Sequence, residues 1–177
     1  MIASEVSTMK VRSRKPGRKR RWVLLVAMLL AIVALPLRGS FRAVLVVGSS
    51  MQPTLNNGDL VLVAVHAYEH AAPLRGDLVV ARYLGDLIVK RVVGLPGEQI
   101  EVRNGQLWID EQPFVESHPV RPGLLTLSRG RLLRDRFALL GDNRDLPAAQ
   151  TIHAVVAPEA IMGKIVLRLH WPRRSTA

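Results

Sequence analysis

Two serines in one turn, a lysine inside an apolar run and five histidines are the groups best placed in this sequence to move a proton or attack a carbonyl. The serines stand in Gly48-Ser49-Ser50-Met51-Gln52-Pro53-Thr54-Leu55, between the apolar runs Ala43–Val47 and Leu60–Val63. A turn between two such strands can hold a hydroxyl in the open at the rim of a sheet, although serines ahead of a proline turn also bond nearby backbone. A serine hydroxyl attacks at neutral pH only when a base takes its proton.

Histidine is the usual base, and His66, His70, His118, His153 and His170 are available. None of them ends a core strand beside a carboxylate, although spacing alone leaves a triad open. His66 and His70 have the i, i+4 spacing of a metal pair, but no third ligand stands near them, so they read as solvated and no metal or other cofactor is expected. The other base is Lys90. In Ile88-Val89-Lys90-Arg91-Val92 the two-residue strand period puts Ile88, Lys90 and Val92 on one face. If that face is inward, desolvation disfavours the ammonium, and a fully buried lysine loses about 3–5 pKa units. A lysine brought to about 7–8 accepts a serine proton. If the face is outward, Lys90 is a solvated charge on a strand edge.

The elements that would carry these groups are short strands. Asn56-Asn57-Gly58-Asp59 and Pro73-Leu74-Arg75-Gly76-Asp77 are turns leading into strands at Leu60 and Leu78. Gly85-Asp86 reverses the chain between Leu78–Tyr83 and Leu87–Val93, and Asn104-Gly105 joins Gln99–Arg103 to Gln106–Ile109 as a hairpin. Residues 113–136 alternate poorly and read as a loop or small excursion. Arg136–Leu140 is a core strand running into Gly141-Asp142-Asn143-Arg144-Asp145, a helical turn starts near Pro158-Glu159, and Ile165–Leu169 closes the sheet. The class is mostly β.

The net charge of +11 invites a nucleic-acid reading, but eight of the 25 basic residues lie between Lys10 and Arg21. Without residues 1–21 the balance is 17 basic against 13 acidic, so the excess is a tail and no nucleic acid is expected as partner. The run Trp22–Leu37 is uncharged and as a helix spans about 24 Å. Flanking Arg20, Arg21 and Arg38 can snorkel to make up the rest of a hydrocarbon core of about 30 Å. A cleaved signal peptide would need a small-x-small site, which Ala34–Arg38 lacks. The reading is a cytoplasmic tail (1–21), one membrane anchor (22–38) and an extracytoplasmic β-rich domain (39–177) with a small insertion at about 97–137. The absence of cysteine excludes disulfides, thiolate zinc sites and cysteine nucleophiles.

Four segments together resemble one family. Gly48–Leu55 is similar to the S-x-S-M-x-P-T-L box of bacterial type I signal (leader) peptidases, and Gly58–Val63 to its continuation. Gly76–Val80 resembles the G-D-x-V-V box, Lys90–Glu98 the K-R-V-V-G-x-P-G-D/E box, and Gly141–Asp145 the G-D-N-R-D opening of the last box. The resemblance covers roughly Arg38 to Lys164. It implies coiled antiparallel sheets like those of repressor autopeptidases, with the active site at an apolar edge facing a bacterial plasma membrane.

The same resemblance implies that Ser50 is the nucleophile and that Lys90 is the general base and later the general acid. It implies that the Ser50 N–H helps form the oxyanion hole, with Gly48, Ser49 and Met51 along the substrate edge, and that Asp142, Asn143 and Arg144 support the site. Preprotein signal peptides with small residues before the cut are the implied substrates, and membrane lipid the implied surroundings. Three positions depart from the family pattern. Pro147 stands where a lysine-orienting serine is common, Ala149 where a carboxylate is, and Gly48 where some members carry an oxyanion-hole serine. Ser49 or Thr151 are candidates to replace the first. These departures keep two alternatives in view: a processing peptidase dedicated to a conjugation or pilus protein, and a non-catalytic membrane scaffold.

Overall fold

A computed structural model describes residues 22, 23, 26, 28, 39–147 and 153–169. The basic tail, most of the expected anchor, Ala149, Thr151 and His170 lie outside the described residues. Trp22, Val23, Val26 and Met28 are helical and exposed, and among the described residues no helix is long and apolar enough to cross a membrane. The chain divides into two compact units, 1–38 and 39–177.

One turn, used three times, starts three strands of the second unit. In 56–59, 74–77 and 95–98 a glycine at the third position has positive φ (Gly58 91°, Gly76 93°, Gly97 85°), and the fourth residue's N–H donates to the first carbonyl at 3.1–3.2 Å. That is the geometry of a type II turn, and glycine meets its positive φ without strain. The acid in the fourth position then folds back. Asp59, Asp77 and Glu98 accept from the backbone N–H of Asn56, Leu74 and Leu95 at 2.7, 3.1 and 2.7 Å. Each turn releases the chain directly into a strand: β2 (Leu60–Ala64), β3 (Leu78–Tyr83) and β5 (Gln99–Arg103).

Tight reversals make the hairpins. β4 (Asp86–Gly94) folds on β3 through Leu84-Gly85, and β6 (Gln106–Ile109) folds on β5 through Asn104-Gly105, with positive φ at both central residues in each case. The first reversal is centred one residue earlier than Gly85-Asp86, because Asp86 already pairs with Tyr83. A third reversal, Asp110-Glu111, leads into β7 (Gln112–Pro113) without any glycine to announce it.

Strands β1 (Phe41–Leu45), β2, β3, β4, β9 (Phe137–Leu140), β10 (Ala154–Val156) and β11 (Ile161–Leu169) form an antiparallel sheet in the order β1-β2-β11-β3-β4-β9-β10. β5 to β7 form a second sheet with β8 (Leu127–Arg131), in the order β7-β6-β5-β8. Two sequence expectations are corrected here. β11 does not close the sheet but lies between β2 and β3. The segment 113–136 is not only loop, since it contains β8, a mostly exposed edge strand whose backbone pairs with β5 and whose side chains show no buried face. The expected helical turn is present as a 3-10 turn at Pro158–Ala160.

Three apolar clusters hold these layers. Ile88 and Val92 pack with Val79, Leu139 and Ile161, whereas Val89, between them, packs against the cluster of Met51, Leu55, Val61, Val63 and Val80. The two-residue period of β4 therefore holds. A third cluster, Val93, Val102, Leu107, Leu125, Leu132 and Leu140, joins the second sheet to β4 and β9.

Candidate active site

The serine turn is fastened from below and from behind. Met51 and Leu55, one helical turn apart and joined by Leu55 N–H to Met51 O at 2.8 Å, are both fully buried. Each such side chain stabilises its segment by about 1.5–3 kcal/mol. From behind, the Asn143 N–H donates to Ser50 O at 3.0 Å, and Asn143 Nδ2 donates to Ser49 O at 3.1 Å. Gly141 lies so close that a Cβ there would sit 2.4 Å from Ser50 O, so only glycine fits. Gly48 has φ 98° and donates its N–H to Asn57 Oδ1 at 3.0 Å, and it stays exposed ahead of the two serines.

Ser50 Oγ is met by Lys90, whose Nζ lies 2.6 Å away as donor. Lys90 comes from the middle of β4 and is 3% exposed. Burial pushes its pKa down from 10.5 to about 8, opposed by the Asp142 carboxylate, which pulls it up. Among the described residues no carboxylate lies within ion-pair distance of Lys90. When the amine is neutral, the same contact lets Lys90 accept the Ser50 proton.

Arg91, the next residue on β4, meets the opposite treatment. Its guanidinium grips Asp142 with both ends of the fork, Nε to Oδ1 at 2.9 Å and an Nη to Oδ2 at 2.6 Å, and also bonds Gly76 O and Thr54 Oγ1. Thr54 Oγ1 donates to Asp142 Oδ2 at 2.5 Å, so Asp142 ties the serine turn to β4. Arg144, fully buried, donates to Gly141 O, Gly105 O and Glu116 Oε1 at 2.9, 2.9 and 2.7 Å. Asp142 and Asn143 thus hold the serine turn directly, through Thr54 and through Ser49 and Ser50, and Arg144 holds the segments beside it.

Of the histidines, His66 bonds Glu69 on the surface and His70 is exposed. Among the described residues no group of three or more potential ligands could hold a metal ion. His118 lies 3.2 Å from Glu116 and 3.6 Å from Asp142. Sequence reasoning gave no role to Thr54 or Glu116 and did not bring His118 together with Glu116 and Asp142. Glu116 and His118 fall in an aperiodic, proline-containing stretch and reach their partners only through the fold.

The sequence model of the family described as signal peptidase, peptidase S26, matches residues 19–171. A "Signal peptidase I" of Leptolyngbya laminosa is 32% identical over 70% of this chain and 65% of its own length, so this chain spans somewhat less than two thirds of that relative. A "Signal peptidase I" of Bacillus caldolyticus is 34% identical over 93% of this chain and 97% of its own length. A "Signal peptidase IB" of Staphylococcus aureus is 27% identical over 85% and 88%. With matches of this extent, the chain belongs to the S26 family of signal peptidases.

Proposed function

We propose that this protein is a membrane-anchored serine endopeptidase that removes signal peptides from exported preproteins, with Ser50 as nucleophile and Lys90 as general base. The observation that carries the reading is the 2.6 Å contact between Ser50 Oγ and a buried lysine whose pKa is pushed down to about 8. Neutral Lys90 takes the Ser50 proton as Oγ attacks the scissile carbonyl, and the ammonium then protonates the leaving amine. The acyl-enzyme is released by water, activated by Lys90 in the same way. The Ser50 N–H donates to nothing among the described residues, so it is available to the oxyanion. Gly48 and Ser49 run along the substrate edge, where an extended peptide pairs with backbone, while Met51, expected on that edge, is buried beneath the turn and anchors it instead.

Anchoring rests on the uncharged run behind a basic tail, which places the tail in the cytoplasm and the β-rich domain outside it. An exposed apolar row supports a lipid-facing rim. Leu45 pairs with Leu60 and Leu60 with Leu169 across β1, β2 and β11, and Val47, next to Gly48, is 83% exposed.

The test uses the full chain in detergent with a preprotein carrying an Ala-x-Ala junction. Cleavage at that junction is expected, with a loss of about 10⁴-fold in both Ser50→Ala and Lys90→Ala. Because Lys90 acts neutral, kcat/KM should rise with pH and level off above about 8. Full activity in either variant, or a rise only near pH 10.5, would refute the dyad. Cleavage of one dedicated pilin-like substrate, with general preproteins intact, would instead favour the specialised peptidase that Pro147 brings to mind.

A further inference from the structure

His118 occupies a position the proposed chemistry does not use. Its Nε2 is buried and lacks a hydrogen-bond partner among the described residues, although two carboxylates are near. Glu116 Oε1 at 3.2 Å is already taken by Arg144, and Asp142 Oδ1 at 3.6 Å is already taken by Arg91. The charged groups around the ring are Glu116 from its own segment, Asp142 and Arg144 from the segment after β9, and Arg91 from β4. Arg75, paired with Glu98, lines a small cavity of about 50 Å³ that His118 also lines. Two arginines face two carboxylates in the inner set, so the cluster is electrically balanced only while His118 is neutral. Burial and then the neighbouring Arg91 charge hold its pKa below the ordinary histidine value, against the pull of Asp142 and Glu116.

The cluster is also where the second sheet meets the serine turn. Residues 121–125 lie along 142–144 through Arg121 N–H to Asp142 O, Arg144 N–H to Arg121 O and Leu125 N–H to Arg144 O. Asp142 holds Thr54, and Asn143 holds Ser49 and Ser50. A proton on His118 turns both ring nitrogens into donors. It then competes with Arg91 and Arg144 for oxygens that are already committed, and adds a positive charge to a half-buried cluster that is balanced without it.

We infer that His118 is a positioning residue whose neutral form leaves Asp142 to Arg91 and Thr54, and so leaves the Ser50 turn in place, whereas its protonated form disturbs them, so that the peptidase loses its active geometry in acid by a step separate from protonation of Lys90. The kinetic consequence rests on the Ser50–Lys90 reading; the structural consequence does not. If both groups must be unprotonated, log kcat/KM rises with slope 2 at low pH and slope 1 between the two titrations, an extra loss of about tenfold per pH unit on the acid side.

The experiment measures kcat/KM against pH for the full chain in detergent, with His118→Asn and His118→Phe beside wild type. The expected result is the disappearance of the second limb in both variants, whatever happens to the alkaline plateau. In parallel, the full-length Ser50→Ala chain, which turns nothing over, is followed by amide exchange at 141–144 and by NMR of the His118 ring. Protection of these amides should fall as the ring titrates. A wild-type slope of 1 throughout, variants that keep slope 2, or variants lowered by one factor at every pH would overturn the inference. If neither variant folds, exchange on the Ser50→Ala chain decides, and protection unchanged through the ring titration would equally overturn it. Absence of cleavage with pH-linked exchange intact would count against the peptidase reading alone.

Discussion

Lys90 and Arg91 are consecutive residues of β4, both cationic types and both buried, at 3% and 6% exposure. Their surroundings are opposed. Among the described residues, Arg91 has a bidentate carboxylate, a carbonyl and a hydroxyl, whereas Lys90 has one hydroxyl. Arginine cannot give up its proton in a protein, so a buried arginine must be paired. Lysine can, so withholding a carboxylate from Lys90 moves its pKa toward the working range. One strand thus serves as a structural tie at one residue and as a poised base at the next.

The largest expected effect comes from removing the partner that separates the two cases. Asp142→Ala leaves Arg91 buried without a counter-charge and Thr54 without its acceptor, and should cost about 3–5 kcal/mol in urea unfolding of the detergent-solubilised chain. A loss below about 1 kcal/mol would mean that water reaches Arg91 and that the contrast with Lys90 is overstated.

The next effect has the opposite sign. A buried lysine with its pKa held from 10.5 down to about 8 disfavours the folded state by about 3 kcal/mol at neutral pH. Lys90→Met removes that cost and one hydrogen bond worth about 1 kcal/mol, so it should stabilise the chain by about 2 kcal/mol while abolishing turnover. Between pH 8 and 10.5 the unfolded lysine keeps its proton and the folded one does not, so wild-type stability should rise with pH across this window and be fully penalised below it. The Met variant should lack that rise. Equal pH dependence in both proteins would show that Lys90 is not the group responsible.

How much of this could be read in the sequence depends on how local the cause is. The glycine-acid turns at 58–59 and 76–77 have their whole mechanism within four residues, and the Asn104-Gly105 hairpin within two, so spacing sufficed; the equivalent turn at 97–98 follows the same rule but reads in the sequence only as the end of a strand. The alternation of β4 was legible too, but not which face is inward, since that depends on what packs there. β8 was invisible because backbone pairing with β5 holds it and its side chains are mostly exposed. β11 reads as a strand, yet its insertion between β2 and β3 joins residues about 100 apart in the chain. Glu116 and His118 are harder still. They matter only because 121–125 runs beside 142–144, and no local pattern encodes that pairing.

The smallest effect tests whether pairing gains its weight from burial. Glu98 pairs with Arg75 at about 20% side-chain exposure on each partner, whereas Arg91 and Asp142 are at 7% and 0%. Glu98 also accepts the Leu95 N–H through its other oxygen, which closes the turn before β5. Glu98→Gln keeps an amide oxygen for that N–H and removes the charge together with the oxygen that accepts from Arg75. With solvent reaching both partners, the expected loss is below about 1 kcal/mol, several times less than for Asp142→Ala, and 1 M salt should shrink it further. A salt-insensitive loss as large as that of Asp142→Ala would mean that exposure does not set the value of an ion pair here. The opposed treatment of Lys90 and Arg91 would then need a cause other than their shared burial.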